Sequence, residues 1–183
     1  MQGEGTAANE AEDAASPAAA QAADPLRAAF EAHYEGLVRL CSLLAGRRED
    51  GEEIVQEAFA RLARDPTRLA SLPPEAVEPY LRRTAVNVWK NRWRRLRVEQ
   101  RHRLKAGQIT GVDPRTGLSF EERDDLWEAV IKLPPRRRAC LVLRYYEDLT
   151  ERDTARTLGC SVGTVKSQTS KALGQLRKEL GAR

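Results

Sequence analysis

Two groups of side chains in this sequence have the types and spacing to handle nucleic acid. The first lies in Ser161–Lys171, where Thr164, Lys166, Ser167, Gln168 and Lys171 share one side of a helical repeat. Short polar and cationic side chains set out this way read base edges in a duplex and neutralise its phosphates. The second lies in Arg82–Lys105, which holds ten Lys or Arg and one acid, Glu99. Trp89 and Trp93 sit four apart within it, as do Asn87 and Asn91. Cations hold phosphates while indole rings stack on unpaired bases, the chemistry of single-strand capture. Asparagine offers both donor and acceptor to a base edge. Two of them inside a helix run against propensity, which points to use. A core position is an equally good reading for Trp89 taken alone.

Both groups need helices to position them. Thr150 and Asp153 have capping-box spacing, Gly159 suits a left-handed helix end, and Ser161 caps a second helix. Ala155 and Leu158 face inward on the first of these helices. Val162, Val165, Thr169, Leu173, Leu176 and Leu180 form the apolar face of the second. The pair reads as a helix-turn-helix with Ser161–Lys171 as recognition helix. The basic stretch belongs to a helix over about 75–105, whose first half supplies apolar Val77, Tyr80, Leu81, Ala85 and Val88. Pro73 or Pro74 is suited to begin it.

Upstream, Phe30, Tyr34, Leu37, Val38, Cys41 and Leu44 predict a helix from Pro25 to near Gly46. A charged loop over 46–51 follows, then a helix over 52–64 with Ile54, Val55, Ala58, Phe59 and Leu62 inward. Residues 65–79 read as loop or short turns. Gly107–Leu118, with three Gly and one Pro, reads as a linker. Ser119 and Glu122 then open a helix with Leu126, Trp127, Val130 and Ile131 inward. A helix over 136–147 follows, with Ala139, Cys140, Val142, Leu143 and Tyr146 inward. The expected class is all-α, with two small helical domains on a flexible linker. The divisions are a disordered acidic tail at 1–24, a first domain at 25–105, the linker at 106–118 and a helix-turn-helix domain at 119–183.

Composition fits this division. Aromatics make up 5% of the 183 residues and charged residues 32%, too few rings for one large core. Net charge is +4, but residues 1–24 carry five acids and no Lys or Arg, leaving +9 on the rest. A body so basic suits a polyanionic partner bound through counterion release. Cys41, Cys140 and Cys160 lie far apart and His33 and His102 are the only histidines, so no metal site, cofactor or disulfide framework is expected. Free thiols imply a reducing cytoplasm. No apolar run reaches membrane-spanning length, and the acidic start is unlike a signal peptide. No phosphate-binding Gly loop, metal cluster or nucleophile–base motif suggests an enzyme or a catalytic residue.

Three runs carry a family resemblance. GEEIVQEAF (51–59) resembles the helix of bacterial RNA polymerase sigma factors that docks on the polymerase. YLRRTAVNVWKN (80–91) resembles the promoter-melting helix of their extracytoplasmic-function subfamily, and LPPRRRACLVLRYYEDLTERDTARTLGCSVGTVKS (133–167) its second DNA-binding domain. The resemblance spans Leu26–Leu180, with order and spacing kept. It implies a transcription initiation factor whose partners are core RNA polymerase and promoter DNA, and it admits an anti-sigma factor as a further partner. Carried over by position, Glu53, Ile54, Gln56, Glu57 and Phe59 lie at or beneath the polymerase-docking face. Asn87 receives a flipped −10 base, with Lys90, Asn91, Arg92, Arg94 and Arg95 along the same DNA. Ser161, Thr164, Lys166, Ser167, Gln168 and Lys171 meet the −35 element. Family members often have Asp where Glu53 and Asn91 stand and Arg where Gln168 stands. Gln favours adenine where Arg favours guanine, so the −35 preference is not inherited from relatives. No sensor domain is expected after Leu180.

Two rivals differ in what they bind. A stand-alone helix-turn-helix regulator would bind duplex DNA without polymerase, using the first domain to dimerise. A protein-binding scaffold of the anti-sigma kind would not need the basic stretch over 82–105.

Overall fold

The computed structural model describes residues 17–105 and 125–181, with side chains over 25–99 and 125–181. Eight helices make up the ordered elements among them: α1 (Pro17–Ala45), α2 (Arg48–Leu62), α3 (Pro66–Ala70), α4 (Pro74–Lys105), α5 (Asp125–Ile131), α6 (Pro135–Tyr145), α7 (Glu151–Leu158) and α8 (Val162–Gly181). No strand occurs among the described residues. The predicted linker and the start of the helix expected from Ser119 lie outside them, as do residues 1–16.

Helix α1 begins at Pro17, eight residues before the predicted start. Its PAAAQAAD start combines alanine, the strongest helix former, with proline at a position where the missing N–H costs nothing. Pro25 is carried inside the helix. The predicted loop over 46–51 shrinks to a turn at Gly46 and Arg47, with α2 starting at Arg48. Gly46 has φ 91°, the left-handed conformation that closes a helix, and its N–H reaches the Ser42 carbonyl at 2.7 Å. Gly51 lies inside α2 because the helices touch there. A Cβ on it would stand 2.3 Å from Ser42 Oγ and 2.6 Å from Ser42 N.

Leu37, Val38, Leu40, Cys41 and Leu44 of α1 are buried against Ile54, Val55, Ala58 and Leu62 of α2. Leu81, Ala85, Val86, Val88 and Trp89 of α4 close this bundle. Trp89 is 5% exposed, which decides the question left open above in favour of the core. In the second unit, Val130, Leu133, Ala139, Val142, Leu143, Ala172 and Leu176 are buried. Leu126, Tyr146, Val162 and Leu180, predicted inward, are exposed. Val162 is the first residue of α8 and Leu180 its last but one, so both lie at helix ends. Tyr146 lies just past the end of α6, and Ala129 takes the inward place expected of Leu126.

The two units are not separate beads. Helix α6 packs on α1 and α7 on α4, and the buried residues of both units join in one cluster.

Candidate nucleic-acid interface

The helix-turn-helix is built as its sequence dictates. Thr150 Oγ1 accepts from the Asp153 N–H at 3.1 Å and donates to the Asp153 carboxylate at 2.6 Å. Gly159 ends α7 with φ 67°. Ser161 Oγ accepts from the Thr164 N–H at 3.1 Å, capping α8. Val165 is fully buried, which turns the opposite face outward. On that face Lys166, Ser167 and Lys171 are exposed, while Thr164 and Gln168 are half-buried. Lys166 Nζ stands 3.6 Å from Glu151, and Ser167 donates to the Thr164 carbonyl at 3.0 Å.

Helix α4 divides its predicted DNA residues between two sides. Lys90 and Arg94 face α7 and α8. Asn91, Arg92 and Arg95 line a hollow of about 290 Å³ with Glu57 and Arg61 of α2. Arg92 also ion-pairs with Glu53 at 2.5 Å and Asp50 at 3.4 Å. On the α7 side, Lys90 Nζ donates to the Thr157 carbonyl at 3.2 Å and to Asn87 Oδ1 at 3.5 Å. Burial, then the neighbouring Arg94 charge, pushes the Lys90 ammonium below its ordinary value. Trp93 stacks on Trp89 with centroids 6.3 Å apart, and Arg97 lies 4.7 Å over its ring. Arg136 of α6 approaches the same ring at 5.6 Å.

A cleft of about 440 Å³ separates the two predicted DNA surfaces, with Trp93 and Arg94 on one wall and Ser161, Thr164, Gln168 and Arg136 on the other. The fold sets the two surfaces face to face across it.

On α2, Glu53, Gln56 and Glu57 are exposed, and Glu57 pairs with Arg61 at 2.5 Å. Ile54 and Phe59, placed by sequence at the polymerase-binding set, are 1% and 7% exposed. They are core residues that hold α2 against α1, beneath the exposed face.

Arg138 was missed. Although 6% exposed, it makes four hydrogen bonds, all to backbone carbonyls: Nε and Nη2 to Leu44 at 3.1 and 2.9 Å, Nη2 to Ala45 at 3.0 Å, and Nη1 to Ile131 at 2.7 Å. These oxygens close α1 and α5, where helix dipoles favour a cation. Burial nevertheless pulls the guanidinium down to about 10. The signal was present in the sequence: 135, 138, 139 and 142 share a helical face, so Arg138 stands at an inward position between Pro135 and Ala139. Arg82 and Glu147 form an ion pair between the units, both side chains largely covered.

No group of three or more potential metal ligands occurs among the described residues, and no helix there is long and apolar enough to cross a membrane. Cys41, Cys140 and Cys160 are free thiols.

Residues 29–99 match the model for sigma-70 region 2, and residues 123–176 the model for sigma-70 region 4. The RNA polymerase sigma-E factor of Streptomyces antibioticus is 34% identical over 137 residues, covering 73% of this chain and 72% of that one. The ECF RNA polymerase sigma factor SigM of Mycobacterium tuberculosis is 30% identical over 152 residues, covering 83% and 75%. Among solved structures, the sigma factor RpoE of Bartonella quintana, in complex with the anti-sigma factor NepR, shares the fold with a TM-score of 0.60 at 18% identity, over 83% of this chain and 94% of that one.

Proposed function

The chain belongs to the sigma-70 family, in its extracytoplasmic-function branch, and from this premise we propose how its surfaces divide the work of starting transcription. It is a sigma factor that directs core RNA polymerase to promoters. Helix α2 offers Glu53, Gln56 and Glu57 to the polymerase. Helix α4 takes up the melted −10 strand, with Asn87 receiving a flipped base and Lys90, Asn91, Arg92, Arg94 and Arg95 along its path. Flipping costs a few kcal/mol per base, offset by contacts in the receiving site. Helix α8 enters the −35 major groove with Thr164, Lys166, Ser167, Gln168 and Lys171, and Ser161 contributes at its N-terminus. Joining two modest sites on one chain multiplies affinity through effective concentration. No cofactor enters this scheme and no catalytic residue is assigned; the polymerase supplies the chemistry. The place of action is the cytoplasm, and an anti-sigma protein is a further partner.

The observation that carries this reading is the pairing of a basic, Asn- and Trp-bearing helix with a capped helix-turn-helix in one chain. A stand-alone regulator would have no use for the first. Run-off transcription with the purified chain, core RNA polymerase and sheared genomic DNA tests it. Discrete start sites that need both components are expected. Specific duplex binding by the chain alone, with no transcripts, would favour the stand-alone regulator.

A further inference from the structure

We propose that the cleft between α4 and the helix-turn-helix is a binding site for a free nucleotide, a nucleoside polyphosphate whose phosphates meet Lys90, Arg94, Arg97 and Arg136 and whose base lies against Trp93. This goes beyond the sigma-factor reading and does not depend on it.

Charge is the first observation. Those four cations line a hollow of about 440 Å³, and no carboxylate lines it among the described residues. Elsewhere Arg61, Arg82, Arg92 and Arg156 each meet a carboxylate. Arg94, Arg97 and Arg136 meet none among the described residues. Lys90 reaches two neutral oxygens, the Thr157 carbonyl and Asn87 Oδ1, which leaves one of its three N–H donors over. Burial and the Arg94 charge both weigh against the Lys90 ammonium, and a bound anion offsets them. Two helix N-termini add to the positive field, since Arg136 is the second residue of α6 and Thr164 the third of α8. Guanidinium forks of this kind take phosphate oxygens two at a time.

Shape and lining are the second observation. The volume falls within the range of small-molecule sites, about 300–1,000 Å³. Trp93 is half-buried in one wall, with the guanidinium of Arg97 4.7 Å and that of Arg136 5.6 Å from its ring centre. A ring flanked by planar cations is a stacking surface for a base. Val98, Ala139 and Leu158 extend it with apolar lining, while Thr164 and Gln168 bring donors and acceptors to a base edge. An inorganic anion would use the cations and leave this lining idle. A nucleotide uses both. Arg97 and Arg136 lie outside the residues proposed for the −10 and −35 elements, so their convergence from α4 and α6 on one ring has no other use assigned to it.

The experiment is calorimetric titration of the full chain, without polymerase, with ATP, GTP, pyrophosphate and adenosine as probes. ATP or GTP should bind with one equivalent per chain, at least about tenfold more tightly than pyrophosphate, and adenosine should not saturate. Arg97→Gln and Arg136→Gln should each weaken the nucleotide about tenfold, the effect of one lost charge-assisted contact. Arg177→Gln removes the same charge from an exposed position on α8 outside the cleft and should change nothing. Trp93→Leu should weaken ATP or GTP and leave pyrophosphate as it was, a split that mere loss of folding would not give. Equal loss in Arg177→Gln would reduce the binding to general charge and overturn the proposal. Pyrophosphate binding as tightly as the nucleotides would overturn it in favour of a bare anion. No nucleotide binding, beside firm binding of a single-stranded oligonucleotide, would overturn it and return the cleft to the DNA surface. Run-off transcription stands apart from all of these, since start sites made with core polymerase do not require the cleft to hold a nucleotide.

Discussion

Lys90 Nζ lies 3.2 Å from the carbonyl oxygen of Thr157, a residue 67 positions further along the chain. The contact joins α4, the helix proposed to take up the melted strand, to the first helix of the helix-turn-helix. It makes the two proposed promoter-reading surfaces one mechanical problem.

Asn87→Ala is expected to impair promoter opening while leaving polymerase binding near wild type. Asn87 is half-buried, and its nearest polar partner is Lys90 at 3.5 Å, so the substitution removes a base contact without opening the core. Permanganate footprinting of the open complex and a pull-down with core polymerase read the two effects separately. Equal loss in both would sink the assignment of Asn87.

Lys166→Ala should weaken promoter binding and lower the salt slope by about one, as expected for one lost phosphate contact. Gln168→Arg should shift the preferred −35 base from adenine towards guanine, by about 1–3 kcal/mol for a well-formed contact. Promoter binding by the holoenzyme across a salt series reads the first, where an unchanged slope would remove Lys166 from the phosphate contacts, and selection of −35 sequences reads the second. An unaltered consensus from Gln168→Arg would show that position 168 does not face a base edge.

Gly51→Ala is a packing prediction. The new methyl would meet Ser42 backbone as well as its hydroxyl, so a rotamer change cannot relieve the clash. Ser42 is itself fixed, donating to the Val38 carbonyl at 2.7 Å. Overpacking of this kind costs about 1–3 kcal/mol, or roughly 3–10 °C in Tm for a chain of this size. Calorimetry measures it, and a Tm within a degree of wild type would mean that α1 and α2 separate more easily than their packing indicates.

Burial pushes the thiols of Cys41 and Cys140 from 9.0 up to about 12, with the nearby Glu147 charge adding to the effect at Cys41 and Cys160 adding to it at Cys140. Each folded thiol keeps its proton in a range where the unfolded chain has lost it. The unfolded state thus binds fewer protons, and stability falls as pH rises from 9.0 to about 12. The slope approaches about 1.4 kcal/mol per pH unit for each thiol. Urea unfolding of wild type and Cys41→Ala from about pH 8 to about pH 10.5 isolates the contribution of one thiol. The wild type should lose stability more steeply, and parallel curves would mean that Cys41 titrates normally in the fold.

Much of this was legible in the sequence, and the reason is local. Thr150, Gly159 and Ser161 each announce a helix boundary by chemistry that acts within four residues, and each does what it announces. The apolar spacing of α2 gave Ile54, Val55, Ala58, Phe59 and Leu62 as core, and all five are buried. What was not legible depends on residues far apart in sequence. Arg138 looks like one of three surface arginines after a Pro-Pro turn until the end of α1 is brought to it. Trp89 reads equally as core or as a base-stacking ring until α4 is seen against its neighbours. The joining of the two units is long-range in the same sense, since no periodicity records which carbonyls a side chain will meet.

The acceptors on the α1 side of the Arg138 contact are main-chain oxygens, and every residue type carries one. Substitutions along the last turn of α1 can therefore accumulate without removing those acceptors. The exception is Gly46, where φ is 91° and a Cβ would stand 2.9 Å from Arg138 Nη1. Mutational tolerance at this joint is thus concentrated rather than shared. Gly46 and Arg138 are the two residues whose identity this contact itself prescribes, while Leu44 is held by the core that its side chain enters.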